Sequence, residues 1–118
     1  MAEFTDNDER LVKYLMDAGL PKNIARTIVY LKNSDEVTSV EVERTARLRQ
    51  PEVSIAMQWL ENKGWITKRE IKKEGKGRPV YKYKLAKPFS EIVKELEVDL
   101  NKKIEEITKI INGLKEFS

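Results

Sequence analysis

The stretch Leu60-Glu61-Asn62-Lys63-Gly64-Trp65-Ile66-Thr67-Lys68-Arg69-Glu70-Ile71 contains the change of period that decides the fold. Before it, apolar residues recur at helical spacing. With about 100° per residue, Val53, Ala56, Met57 and Leu60 fall on one side of a helix that runs to Lys63. Gly64 suits the left-handed position that stops a helix. From Trp65 to Ile71 the sequence reads as a strand. Glu74-Gly75-Lys76-Gly77-Arg78-Pro79 is a turn with two glycines. Val80-Tyr81-Lys82-Tyr83-Lys84-Leu85 alternates as a second strand. A helix therefore leads into one β-hairpin with a basic tip.

Upstream, three more helices are expected. Thr5 or Asp6 can cap the first, with Asp8 and Glu9 in its first turn, where the helix dipole favours acids. Leu11, Val12, Tyr14, Leu15 and Met16 give it an apolar side, and Gly19 follows its end. Pro21 is placed to open a second helix, whose apolar face is Ile24, Ala25, Ile28, Val29 and Leu31. Val37 and Thr38 can form a very short strand. Ser39 is expected to cap a third helix to about Leu48, helped by Glu43, with Val40, Val42 and Ala46 turned inward. Arg49 and Gln50 then make a tight turn, and Pro51 restarts the chain as the fourth helix.

Downstream, Pro88 opens a long helix that can run to about Phe117. Val93, Leu100, Ile107 and Leu114 occupy one seam of a heptad frame. Leu96, Ile110 and Phe117 occupy the other, where Lys103 is the exception. Ile104 and Ile111 widen the stripe. A lone helix would leave this stripe exposed, so the pattern predicts a coiled coil or a packed helix pair. The expected organisation is a domain over 1–87 and a dimerisation helix over 88–118, with Val93, Leu96, Leu100, Ile104, Ile107, Ile110, Ile111 and Leu114 at the interface. The fold class is α+β and mostly helical.

Composition narrows the function. The 118 residues include no Cys and no His, which removes disulfides, thiolate sites, the commonest metal ligand and the commonest general base. No metal and no cofactor is expected. No nucleophile–base pair or phosphate loop is visible either, so an enzyme is not expected. No apolar run reaches the roughly 18 residues of a membrane span, and the acidic N-terminus lacks the order of a secretory signal. A cytoplasmic protein without a membrane partner is the expectation. Net charge is only +3, but residues 65–87 hold nine basic residues against Glu70 and Glu74. That concentration fits a polyanion partner. It fits equally a solvated hairpin whose lysines guard its edges.

The third and fourth helices, joined by a short turn, have the order of a helix-turn-helix, in which the second helix enters the major groove. The outward residues Ser54, Ile55, Gln58 and Asn62 are short or polar and uncharged apart from one aliphatic side chain, with Gln50, Pro51 and Glu52 at the helix start. Gln can bond to adenine, Ser to base or phosphate, and Ile can meet a thymine methyl. Ser39, at the start of the preceding helix, joins this set. Arg47 and Arg49 flank the turn and are expected at phosphates. Arg44 is open, and all three arginines could equally pair with Glu41, Glu43 and Glu52, which contributes little. Lys76 and Arg78 flank Gly77 and would reach the backbone or minor groove, with Lys82 following on the second strand. Trp65, Tyr81 and Tyr83 are expected to cover core. Trp59 could pack on the last helix or on DNA.

Thr38-Ser39-Val40-Glu41-Val42, Gln50-Pro51-Glu52-Val53-Ser54, Leu60-Glu61-Asn62-Lys63-Gly64-Trp65-Ile66, Gly75-Lys76-Gly77-Arg78-Pro79 and Tyr83-Lys84-Leu85 together resemble the winged-helix transcriptional regulators of the broad MarR, ArsR and TrmB-like group, most of all small archaeal ones. The resemblance covers Val37 to Leu85. It implies that the fourth helix, about 51–63, reads the major groove. The wing, 74–79, would touch backbone or minor groove, and terminal helices would pair two copies. The expected partners are double-stranded DNA and a second copy of the chain. The sequence departs from ArsR metal sensors in lacking Cys and His, and from sugar-sensing TrmB-type regulators in that no effector domain follows the helix. The competing expectation is a winged-helix protein-interaction module of the transcription machinery, without DNA readout.

Overall fold

The computed structural model describes residues 4–71 and 79–118. The sequence-predicted wing tip, including Lys76 and Arg78, lies outside the described residues. The chain divides into two compact units, Met1–Lys87 and Pro88–Ser118.

The first unit begins with α1 (Asp6–Asp17). Thr5 caps it: its hydroxyl accepts from the Asp8 N–H at 3.1 Å, and its own N–H donates to the Asp8 carboxylate at 3.0 Å. Burial pushes the Asp8 carboxyl upward. The Thr5 N–H, the Asn33 amide and nearby Lys32 outweigh that, so it lies below its ordinary value. Val12 and Leu15 face inward, whereas Tyr14 and Met16 are exposed, so the inward face is narrower than expected. Gly19 has φ 110, the left-handed conformation expected of it.

Helix α2 (Lys22–Lys32) starts one residue later than Pro21, which sits at its N-cap. Every residue from Ile24 to Leu31 is buried. The helix is the central post of the unit, packed on α1, α3, α4 and the hairpin. It is therefore covered on all sides, and Arg26 is buried along with the aliphatic residues. Its Nε donates to the Ala46 carbonyl at 2.8 Å, and its Nη1 lies 2.6 Å from a Glu9 oxygen. This one side chain thus ties α1 to the end of the next helix.

Helix α3 (Ser39–Thr45) is shorter than predicted, and its cap is Thr38, one residue before Ser39. Glu41, not Glu43, stands at the third helical position, and its N–H donates to the Thr38 hydroxyl at 3.3 Å. That shift rotates the face: Val42 and Ala46 are fully buried, but Val40 is exposed. The helix ends at Thr45 because the chain reverses there. Arg47 adopts φ 55, the Leu48 N–H returns to the Glu43 carbonyl at 3.1 Å, and Leu48 turns into the core. This is the Schellman stop, with an arginine in the place glycine usually takes.

Helix α4 (Gln50–Asn62) follows after four residues, Ala46 to Arg49. Val53, Ala56, Met57 and Leu60 are its buried side, as the periodicity required. Gly64, at φ 76, ends it. The hairpin pairs β1 (Ile66–Ile71) with β2 (Val80–Leu85), in a register that sets Lys68 opposite Tyr83 and Arg69 opposite Lys82. Trp65 precedes the strand and is a core residue, in edge-to-face contact with Trp59 at 5.5 Å between ring centres. Val37 exchanges both backbone hydrogen bonds with Tyr83, at 2.9 and 2.8 Å. This places the loop before α3 beside β2 and anchors the hairpin to the helices.

The second unit is one helix, α5 (Phe89–Lys115), with Pro88 at its N-cap. Its apolar stripe is exposed through Ile104, Ile107, Ile110 and Leu114. Among the described residues no helix is long and apolar enough to cross a membrane.

Candidate nucleic-acid interface

The turn between α3 and α4 is held from below and charged from above. From below, the Arg26 guanidinium binds the Ala46 carbonyl, and the Asn23 amide donates to the Glu52 carbonyl at 3.0 Å. Both donors come from α2, so the start of α4 is fixed to the core of the unit. Above, Arg47 and Arg49 are exposed. The left-handed backbone at Arg47 costs about 1 kcal/mol or more for a residue with a side chain. Strain kept in this way marks a position worth testing for function. Glu52 accepts the Arg49 N–H at 2.9 Å and also lies 3.7 Å from its guanidinium. Arg49 is 89% exposed, so this pair is weak and easily exchanged for another anion.

Past this turn, α4 and the hairpin enclose an open cleft of about 400 Å³. Gln50, Ser54 and Gln58 line it from α4, and Ser39 from the start of α3. Lys68 and Tyr83 line it from the hairpin. Five sequence-predicted residues, with Asn62, therefore converge on one concavity. Pro51 and Ile55 are exposed on α4 and Glu52 is half-buried, but none of them lines the cleft.

Lys68 is not among the sequence-predicted site residues, and Tyr83, expected to cover core, instead lines the cleft and is only half-buried. The signal available was register: cross-strand partners share a face of a hairpin, and Val37 pins Tyr83 toward the core side. The same rule puts Arg69, Lys82 and Lys84 on the opposite face. There Arg69 makes a two-point ion pair with Glu36, both contacts at 2.8 Å. The Arg69 hydrogen bonds, followed by the charges of Arg69, Lys84 and Lys82, outweigh burial and hold the Glu36 carboxyl below its ordinary value. Lys82 thus stands behind the cleft.

The cleft is electrically mixed. The Lys68 ammonium is 4.6 Å from the centre of the Tyr81 ring and 3.6 Å from a Glu61 oxygen. Burial raises the Tyr83 phenol above its ordinary value; Lys68 opposes this, and Glu61 and Tyr81 reinforce it. Tyr83 is therefore a neutral hydroxyl at physiological pH, able to donate or accept. Glutamine, serine and tyrosine supply uncharged hydrogen bonding, suited to base edges or phosphate oxygens. Among the described residues no group of three His, Cys, Asp or Glu side chains is placed to hold a metal.

Helices α1 to α4 with the following ribbon form a winged helix-turn-helix domain. The comparisons agree on that fold. No protein-family model matches the chain, and no curated protein does. Solved structures match along most of it. TrmBL2, an archaeal chromatin protein, superposes with a TM-score of 0.66 at 21% identity over 92% of this chain. The chain spans only 39% of that protein's length. A possible transcriptional regulator from Methanosarcina mazei gives a TM-score of 0.63 at 16% identity, covering 86% of this chain and 85% of that one. A MarR family regulator from Neisseria meningitidis gives 0.51 at 17% identity, covering 92% and 82%. Likeness at these identities establishes the winged-helix fold.

Proposed function

We propose that this protein is a transcriptional regulator that binds double-stranded DNA as a homodimer. The observation that carries the proposal is the shared cleft: the polar outer face of α4 and the inner face of the hairpin open on the same side of the domain. A duplex laid on that side meets α4 in the major groove, with Gln50, Ser54, Ile55 and Gln58 toward base edges. Arg47 and Arg49 meet the phosphates beside it. Lys76 and Arg78 enter by their place in the sequence, at the hairpin tip. The structural neighbours support the reading: TrmBL2 is described as binding DNA, and the other two as regulators. The exposed stripe of α5 supports pairing of two copies, which predicts a roughly palindromic site with half-sites about one helical turn, or a multiple, apart.

Fluorescence anisotropy on duplexes selected from random DNA tests this. The logarithm of the binding constant should fall linearly with the logarithm of salt concentration, by a slope of about 0.9 per phosphate neutralised. Gln58→Ala and Ser54→Ala should change base preference more than overall affinity, and Arg78→Ala should weaken binding to every sequence alike. A combined Leu100→Asp, Ile107→Asp variant should be monomeric and bind far more weakly. Duplex binding with no salt dependence, or none at all, would leave the protein-interaction module as the better account.

A further inference from the structure

The apolar stripe of α5 has one defect, and the defect specifies how a second copy must lie. In the heptad frame Lys103 takes a seam position between Leu100 and Ile107. On one flank of the seam stand Asp99 and Glu106; on the other stand Ile104 and Ile111. Ile104, Ile107 and Ile110 are 60%, 57% and 63% exposed, so the middle of the helix is open to a partner.

A parallel pair in register sets each seam residue opposite its own copy. Two Lys103 ammonium groups would then meet in one core layer. The acidic flank of each helix would face the isoleucine flank of the other, leaving those lysines no carboxylate across the interface. Like charges opposed in a desolvated layer are strongly unfavourable.

An antiparallel pair removes the lysine layer and gives each Lys103 a carboxylate from the other copy; the two lysines also flank the adjacent Glu106 pair. With the two-fold axis at residue 105, Leu100 lies opposite Ile110 and Lys103 opposite Ile107. Leu96 then lies opposite Leu114, and Val93 opposite Phe117. Like flanks now meet, so Ile104 packs on its own copy across the axis. On the other flank the order along the axis is Lys103, the partner's Glu106, Glu106, the partner's Lys103. With a rise of about 1.5 Å per residue, each ammonium is within about 1.5 Å, along the axis, of a carboxylate from the other copy. The lysine stem stays in the seam and its charge reaches the acidic edge.

We infer that α5 pairs antiparallel with α5 of a second copy, in the register set by Lys103 and Glu106. This rests on the homodimer reading above and adds its direction and register. The full chain contains no cysteine, so an introduced thiol is the only one present. Leu100→Cys and Ile110→Cys chains, one carrying a tag that changes its mass, are mixed and oxidised. The mixed disulfide should dominate, because only the antiparallel register places 100 beside 110. Like-with-like disulfides in the same mixture would overturn the inference while leaving the homodimer standing. A spin label at Ser90→Cys, outside the seam, gives a second reading. Antiparallel helices put the two labels about 45 Å apart, from the helical rise, and parallel ones put them about 10 Å apart, the distance between packed helix axes. Sedimentation of the unmodified chain as a monomer would overturn the homodimer reading and this inference together.

Discussion

Replacing Arg26 by Met should destabilise the protein by about 3 kcal/mol, a sum assembled from three contacts of one guanidinium. The substitution keeps the length of the stem and removes the charged head. The largest loss is at Ala46, whose carbonyl receives the Arg26 Nε at 2.8 Å in a fully buried residue. A hydrogen bond from a charged donor contributes about 1.5–3 kcal/mol, and a buried acceptor left without it cannot turn to water. The Glu9 contact is short, but Glu9 is 51% exposed and rehydrates when released, so this pair adds no more than about 1 kcal/mol. The Phe4 ring, 4.5 Å from the guanidinium carbon, adds about 0.5–1 kcal/mol as a cation–π partner. At roughly 4–8 °C per kcal/mol the melting temperature should fall by about 12–24 °C. Urea unfolding at fixed protein concentration, followed by the emission of Trp59 and Trp65, measures the loss. Glu9→Gln, the control, should lose about 1 kcal/mol or less. Duplex affinity should fall in Arg26→Met even under conditions where the variant is folded, because the turn carrying Arg47 and Arg49 loses one of its two ties to α2 and keeps only that from Asn23. Stability within about 0.5 kcal/mol of the parent would show that the Ala46 carbonyl does not depend on this arginine, and would refute the reasoning.

Arg47→Gly should be slightly more stable than the parent, by about 0.5 kcal/mol after the extra freedom of glycine in the unfolded chain is subtracted. It should nonetheless bind DNA less well, with a salt slope smaller by about 0.9 for each copy bound. An unchanged slope would remove Arg47 from the interface. Thr27 is fully buried and its hydroxyl oxygen has no hydrogen-bond partner among the described residues, so Thr27→Val should raise stability by about 1 kcal/mol in the same urea assay. Acid titration tests the Glu36–Arg69 pair. The folded-state carboxyl lies below the unfolded value, so its contribution is complete above the ordinary glutamate range and is lost as pH falls through the folded value. The stability difference between the parent and Glu36→Gln should be constant near neutrality and shrink below about pH 4. A difference that persists undiminished at lower pH would contradict the assignment.

Local chemistry determined much of this protein before any coordinates. The positive φ at Gly19 and Gly64, the buried face of α4 and the limits of β2 all follow from side-chain volume, backbone freedom and period, which act over a few residues. So does the division between the hairpin and the terminal helix. Where two adjacent residues could serve equally, the sequence left the choice open. Thr38 and Ser39 are both competent caps, and the choice of Thr38 is set by Val37, whose hydrogen bonds to Tyr83 fix where the loop ends. That pairing spans more than forty residues, and it turns Val40 out to solvent. The site divides in the same way. Ser54 and Gln58 point outward because the opposite face of α4 is apolar, whereas the recruitment of Lys68 and Tyr83, with Lys82 placed behind them, follows from strand register across the hairpin. Arg26 was silent in the sequence: a charged residue between the apolar positions of α2 looks like surface until α1 and the end of α3 close around it. Neighbouring residues dictate turns and faces, and only the assembled core decides which distant groups share a cleft or a hydrogen bond, because those contacts exist only once the chain has closed on itself.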